Sequence, residues 1–370
     1  MRKHPSLVWS TIRAVFLLCT ISVTVQAQPR KLAIFSPGND QNTFWSQVIA
    51  YTKAACDDFG WQLEVYYAND DHLRMVSEIE RAAKSASRAD VFLFPAMKDA
   101  GEACLKVCEA NKVPAFTINM GLDEKIAGAP RTKYKYWIGQ MVPDDEVAGY
   151  ELGALLIKQA RAAKLTTASG QIGVVAVSGR TNDAAAILRN RGLEKAVSGT
   201  PGTVMQPVLF ANWERQSAVD QVRTALQKNA DYGVIWAASD DMALGIVQAS
   251  GLWALPAGQK LMVGGVDWTP EAIQAVADKK MVATAGGHFM EGGWAAVMLY
   301  DYFNGKDFAV DGVNIKSPMS LITAENAKLF QTKLGDGNWG RINFNLFTKT
   351  NNKSLKTYNF KIETVLLVLR

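Results

Sequence analysis

Two short polar turns carry the side chains best suited to chemistry. Ser239-Asp240-Asp241 follows the apolar run Tyr232 to Ala237, and Asp267-Trp268-Thr269-Pro270 follows Leu261 to Val266. Both runs are short and β-branched, which reads as buried parallel strands, and Met242 to Trp253 between them has helical spacing. In such a β-α-β unit ligands meet the carboxyl ends of the strands, so Ser239, Asp240 and Asp267 are expected at one polar site. Each Asp can instead serve only as a helix cap, with Asp240 or Asp241 starting the helix at Met242. Aromatic residues also stand beside polar ones in loops: Phe44 and Trp45 near Asn42, Trp213 near Asn212 and Arg215, Trp268 next to Asp267. Aromatic faces for C–H groups, with carboxylate, amide and guanidinium partners for hydroxyls, suit a sugar ring. Trp61, Trp236 and Trp294 sit inside apolar runs and read as core.

Catalytic signatures are scarce. Beyond the N-terminal segment the histidines are His72 and His288, and neither joins an H-x-x-x-H or C-x-x-C cluster, so no metal is expected. Val177-Ser178-Gly179-Arg180 lacks the first glycine of a nucleophile elbow, and there is no P-loop. Gly335-Asp336-Gly337-Asn338-Trp339-Gly340 matches G-x-G-x-x-G by letter. The dinucleotide motif needs a strand before it, whereas a helical pattern precedes this one, so it reads as a glycine-rich turn. No cofactor is expected. Asp240 and Asp267 leave an exported carboxylate enzyme as a third-ranked reading.

The elements that would position these residues follow a β-α register. Lys31 to Ser36, Gln62 to Tyr67, Ala89 to Pro95 and Val113 to Asn119 read as strands, with helices running out to Phe59, from Asp70 to Ser87 and from Ala100 to Asn111. Tyr136 to Gln140 is another strand, and Asp144 or Asp145 caps a helix to Arg161. A second series follows: strands Gln171 to Val177 and Val204 to Phe210, helices Asp183 to Val197 and Arg215 to Lys228, then the β-α-β unit above. Val282 to Ala285 is a short strand, and the doubled glycines Gly286-Gly287 and Gly292-Gly293 read as a sharp turn before a helix at Trp294 to Phe303. Pro318 to Thr323 reads as a further crossing and Ala324 to Leu334 as a last helix. The predicted class is α/β, with two similar doubly wound parallel-sheet lobes joined by a three-segment hinge. The N-terminal lobe is expected from 28–141 plus 288–317 and the C-terminal lobe from 142–287 plus 318–334. The tail, 335–370, has no role legible in the sequence.

At 370 residues with 48% hydrophobic and 20% charged content, the chain has the make-up of a folded two-domain protein. Arg2, Lys3 and Arg13, the apolar run Ala14 to Val23 and Val25-Gln26-Ala27 form an export signal over 1–27, with cleavage expected after Ala27. Leu18 before Cys19 is not the small residue a lipid-attachment site needs, so a soluble exported protein is expected. Cleavage leaves 37 basic against 35 acidic residues, which gives no electrostatic case for nucleic acid. Cys56, Cys104 and Cys108 remain, an odd number; right-handed crossovers put the first and third helices on opposite faces of the sheet, so buried thiols are expected rather than a disulfide framework.

Taken together, this order of elements, the export signal and three motifs resemble the type I periplasmic sugar-binding proteins, the ribose-, galactose- and autoinducer-binding group. The motifs are Asn42-Thr43-Phe44-Trp45, Ser239-Asp240-Asp241-Met242-Ala243-Leu244-Gly245 after Ala237-Ala238, and Val263-Gly264-Gly265-Val266-Asp267. The resemblance spans Lys31 to Asn326. It implies first-lobe contacts from Asn42, Phe44, Trp45 and Asn119, and second-lobe contacts from Trp213, Ser239 and Asp267. Asp183, Arg215, Asp240 and His288 complete the candidate set. Two positions depart from the family: Ile187 stands where an ungapped match has a ligand-gripping arginine, and Gly287, with His288 beside it, replaces a polar residue. Arg180, Asp183 or Arg189 could compensate. The family implies a monomeric receptor that closes its lobes on a small sugar-like ligand. The partner it implies is an ABC transporter permease or, alternatively, a membrane sensor kinase or cyclase. The family's cytoplasmic repressors carry an N-terminal helix-turn-helix where this chain has an export signal.

Overall fold

The computed structural model describes residues 29–97, 100–167, 169–228, 232–251 and 261–370. The export segment and Trp253, read above as a helix end, lie outside these residues. In chain order the first elements are β1 (Lys31–Ser36), α1 (Thr43–Asp58), β2 (Gln62–Tyr67), α2 (His72–Ala83), β3 (Val91–Phe94), α3 (Ala100–Ala110), β4 (Ala115–Ile118), α4 (Glu124–Ala127) and β5 (Trp137–Pro143). Next come α5 (Asp145–Ala162), β6 (Ile172–Ser178), α6 (Ala184–Ser198), β7 (Thr203–Met205), β8 (Leu209–Phe210), α7 (Arg215–Lys228), β9 (Val234–Ala237), α8 (Asp240–Ser250), β10 (Met262–Val266), α9 (Pro270–Ala277) and β11 (Ala283–Gly286). The chain ends with α10 (Glu291–Phe303), β12 (Asn314–Ser317), β13 (Ser320–Thr323), α11 (Ala327–Leu334) and α12 (Ile362–Leu367).

These strands form two sheets, in the orders β12-β5-β4-β3-β1-β2 and β13-β11-β10-β9-β6-β7, with β8 also on β6. Every pairing is parallel except β11 with β13. β3, β4 and β9 are buried along their whole length, as strands covered on both faces must be. The backbone passes between sheets at Asp144, after Gly286 and at Pro318-Met319. Cys56 packs in one core cluster and Cys104 and Cys108 in another, and all three are free thiols. Burial pushes the Cys56 and Cys104 thiols up to about 12.

Several sequence expectations are corrected. The run Val204 to Phe210 is two short strands, because Pro207 has no N–H to give the ladder; β7 pairs with Ile172–Val174 and β8 with Val177–Ser178. Gly292 and Gly293 are not a turn but the first turn of α10. A Cβ there would lie 2.0 Å from Thr52 Oγ1 and 2.4 Å from Tyr51 Cδ1, so these glycines let α10 press onto α1. β12 carries no strand signal in the sequence, because Asn314-Ile315-Lys316-Ser317 is an edge strand with little apolar content. The tail does not trail away. Trp339, Phe344, Phe347 and Phe360 are buried against Tyr51 and Trp294, and Asp301 accepts hydrogen bonds from Lys349 N (2.7 Å), Thr350 N (2.8 Å) and Tyr358 OH (2.9 Å).

Candidate functional site

The carboxyl ends of the two sheets face a cavity of about 430 Å³ between them. Asn42, Phe44, Trp45, Asn119, Asp183, Trp213, Ser239, Asp267 and His288, all expected from the sequence, line it. Asp70, Met97, Met120, Arg180, Arg189, Asn212, Glu214, Asp241 and Thr269 line it too. Five of these residues have left-handed or otherwise positive φ: Asp70 (61°), Asn119 (64°), Asn212 (57°), Trp213 (71°) and Asp267 (136°). Such conformations cost of order 1–3 kcal/mol each and persist where surrounding structure enforces them, commonly at ligand sites. Here they turn the chain just after strands or within βα loops, where side chains must be aimed into the cleft.

Each wall has its own support. Asn42 caps α1 by accepting from Trp45 N at 3.0 Å, which fixes the turn that presents Phe44. Phe44 stacks on His288 with ring centroids 4.7 Å apart, and its edge meets Trp45. Trp45 is only 5% exposed, so it serves the core more than the cleft, and Phe44 offers more of its ring. Opposite, the Trp213 indole donates Nε1–H to Asp183 Oδ2 at 2.7 Å and lies flat on Gly179. A Cβ on Gly179 would sit 2.0 Å from Trp213 Cε2, so no other residue lets the indole rest there.

At the hinge end lies a buried ionic cluster. Arg189 donates from Nε to Asp145 Oδ1 (2.7 Å) and from Nη1 to the Ala238 carbonyl (2.7 Å), and stands 3.5 Å from Asp267 Oδ1. Burial alone would depress its pKa, but Asp145 and Asp267 outweigh burial and keep it charged. Its Nη2 lies 3.3 Å from His288 Nε2. A guanidinium can only donate, so in this contact Nε2 accepts and the neutral imidazole carries its proton on Nδ1; Nε2 also stands 3.5 Å from Asp267 Oδ1, and Nδ1 has no hydrogen-bond partner among the described residues. Burial and then Arg189 hold the His288 pKa down to about 3. Beside it Glu291 accepts from Asn119 N at 2.7 Å and from Ser317 Oγ, and burial raises its pKa well above the carboxylate range.

Three expectations do not place at the cleft. Asp240 is fully buried and accepts from Thr284 Oγ1 (2.7 Å), Thr269 N (2.8 Å) and Thr269 Oγ1 (3.2 Å), so it ties α8 to β11 and the start of α9. The cap of α8 is Ser239, which accepts from Met242 N, not either Asp. Arg215 does not line the cavity; it pairs with Asp241 (2.8 Å), at the cavity's edge, and with Glu271 (2.9 Å). Trp268 is 2% exposed and donates Nε1–H to the Thr284 and Ser320 carbonyls. Ile187, at the ungapped position of the family arginine, is 44% exposed, and Arg189 two residues on faces the cleft instead. Asp70, which the sequence places at the start of the second helix, lies ahead of it at the cavity. Asp71 is the cap, and the Asn69-Asp70 turn after β2 obeys the same strand-end rule as Asp267.

Residues 33–307 match the sequence profile of the periplasmic binding protein domain. The chain is 30% identical over 182 residues to the D-allose-binding periplasmic protein of Escherichia coli (strain K12), covering 49% of this chain and 55% of that protein. It is 24% identical over 278 residues to the ribose import binding protein of Salmonella typhimurium, covering 74% and 84%. Among solved structures, a periplasmic sugar-binding protein from Pseudomonas fluorescens superposes with a TM-score of 0.79 at 28% identity, covering 91% of this chain and 99% of that one. A solute-binding protein from Actinobacillus succinogenes with bound D-allose superposes with a TM-score of 0.69 at 20% identity, covering 81% and 99%.

Proposed function

Because this chain belongs to the periplasmic binding protein family, a family of solute receptors rather than enzymes, we propose that its cleft holds one small neutral sugar and hands it to an ABC transporter. The observation that carries this reading is the paired construction of the cleft. Phe44 on one wall and Trp213 on the other offer apolar faces, while Asn42, Asn119, Asp183 and Asp267 line the same 430 Å³ space with acceptors and amide groups. A ring with C–H faces and an equatorial rim of hydroxyls meets both demands at once. His288 adds an Nδ1 with no hydrogen-bond partner among the described residues, and five lining residues are held at positive φ. The names of relatives that bind allose and ribose agree with a monosaccharide. Cleavage after Ala27, a monomeric state in the periplasm and the lobe limits given above belong to the same proposal.

Closure about the three crossings follows from where the contacts lie. Asn42, Phe44 and Asn119 belong to the first sheet's loops, and Trp213, Ser239 and Asp267 to the second's. A ligand that touches both sets binds the closed arrangement better and shifts the population toward it. Isothermal titration of the mature protein with D-allose, D-ribose, D-galactose and myo-inositol tests the reading. Saturable one-to-one binding of at least one of these is expected. Binding of amino acids or peptides with none of the sugars taken up would overturn it.

A further inference from the structure

The backbone passes between the lobes a fourth time, beyond the three crossings of the hinge. α11 belongs to the second lobe: Phe330 packs on Trp268, and Gln331 Nε2 donates to Gln274 Oε1 at 2.8 Å. Five residues after α11 ends, Trp339 is buried in the first lobe, 5.5 Å from the Tyr51 ring and 5.2 Å from the Phe289 ring. Beyond that point the tail is fastened to the first lobe throughout. Asp58 accepts from Phe344 N (2.8 Å) and Arg370 Nη2 (2.7 Å), Asp301 holds residues 349, 350 and 358, and Phe360 stacks on Trp294 at 4.7 Å. Ile342 and Leu369 bridge the start of the tail to its end.

From this we infer that the C-terminal tail is a strap that limits how far the lobes open, with residues 335–338 as its only slack. The inference rests on the reading that the lobes move about the hinge. The link is short and folded: Gly335 N bonds to Gln331 O, Gly337 N to Leu334 O and Trp339 N to Gly337 O, each at 3.0 Å, and Gly337 holds φ of 65°. Fully drawn out, the five Cα steps from Leu334 to Trp339 span at most about 18 Å, and reaching that length breaks these bonds. The anchors on either side, Leu334 and Trp339, are 1% and 6% exposed, so neither gives length cheaply. A limited opening keeps the free protein near its binding-competent form, which lowers the penalty that a sparsely populated closed state places on affinity. The G-x-G-x-x-G letters at Gly335 to Gly340 thus mark the strap's turn and not a nucleotide loop.

The test lengthens the link without disturbing its anchors. A twelve-residue Gly/Ser insertion containing a site-specific protease sequence is placed between Gly337 and Asn338, where the Gly337 side has open space. Spin labels at Leu73→Cys and Ile187→Cys, exposed positions on opposite lobes, report the inter-lobe distance by double electron–electron resonance. The ligand-free distances of the insertion variant are expected to spread to longer values than the parent's, and to spread further once the folded sample is cut. Distances unchanged by both insertion and cutting would overturn the strap. D-allose and D-ribose form a separate arm. If the sugar bound by the parent leaves the parent's own distances unshortened, the closure reading fails, whatever the insertion does.

Discussion

Replacing Arg189 with Ala strikes the cluster that joins α5, α6, the cleft and the hinge. The guanidinium is 4% exposed and serves Asp145, which is equally buried, along with the Ala238 carbonyl and His288 Nε2. Its removal leaves the Asp145 carboxylate desolvated without a counter-charge and a carbonyl without a donor. Breaking a buried pair from one side costs about 3–5 kcal/mol, a large share of the stability of an ordinary domain. Arg180→Ala is the control: that guanidinium is 42% exposed and 3.7 Å from Asp183, so its loss should change stability by less than about 0.5 kcal/mol. Urea unfolding followed by circular dichroism and by tryptophan fluorescence measures both. The double variant Asp145→Leu with Arg189→Met should lose clearly less than the sum of the single losses, because it removes both charges together. An Arg189→Ala protein within about 1 kcal/mol of the parent, or additive single losses, would refute the reasoning that this pair is a desolvated, mutually dependent one.

Asp240→Ala should lose about 2–4 kcal/mol of stability while leaving sugar affinity within a few-fold of the parent, since three donors lose their acceptor while Asp240 itself does not line the ligand space. Trp213→Ala and Gly179→Ala should each weaken sugar binding by roughly 2 kcal/mol, the first by deleting the aromatic face and the second by lifting it, with titration calorimetry as the readout. The folded-state pKa of His288 lies below its unfolded value, so the stability it confers as a neutral ring is present above pH 6.5 and is lost as pH falls toward about 3. Urea midpoints at pH 7, 5 and 4 should therefore fall less steeply for His288→Gln than for the parent.

The alternation of short apolar runs with helical patterns was enough to read two wound sheets, because strand burial and helix amphipathicity leave periodic marks. Strand ends with polar turns also point to residues that line the cleft, Asn42, Phe44, Trp213 and Asp267 among them, whereas Trp45, expected from the sequence to stack on a ring opposite Trp213, packs into the core at 5% exposure. What stayed hidden depends on contacts between distant residues. Asp240 and Asp267 look alike in sequence, yet Thr269 and Thr284 draw the first inward and Arg189 holds the second at the cleft wall. Gly292-Gly293 looks like a turn until α1 is seen lying 2.0–2.4 Å from where their Cβ atoms would be. The tail's aromatic residues carry no periodicity, so their docking on Tyr51 and Trp294 could be learned only from the fold.

The most direct measurement is a crystal structure of the mature protein with the tightest-binding sugar from the titration panel. The ring is expected between Phe44 and Trp213, with hydroxyls on Asp267 and Asn119 and His288 Nδ1 donating to a sugar oxygen. A sugar seated elsewhere, or one in the cleft that touches only one lobe, would contradict this placement.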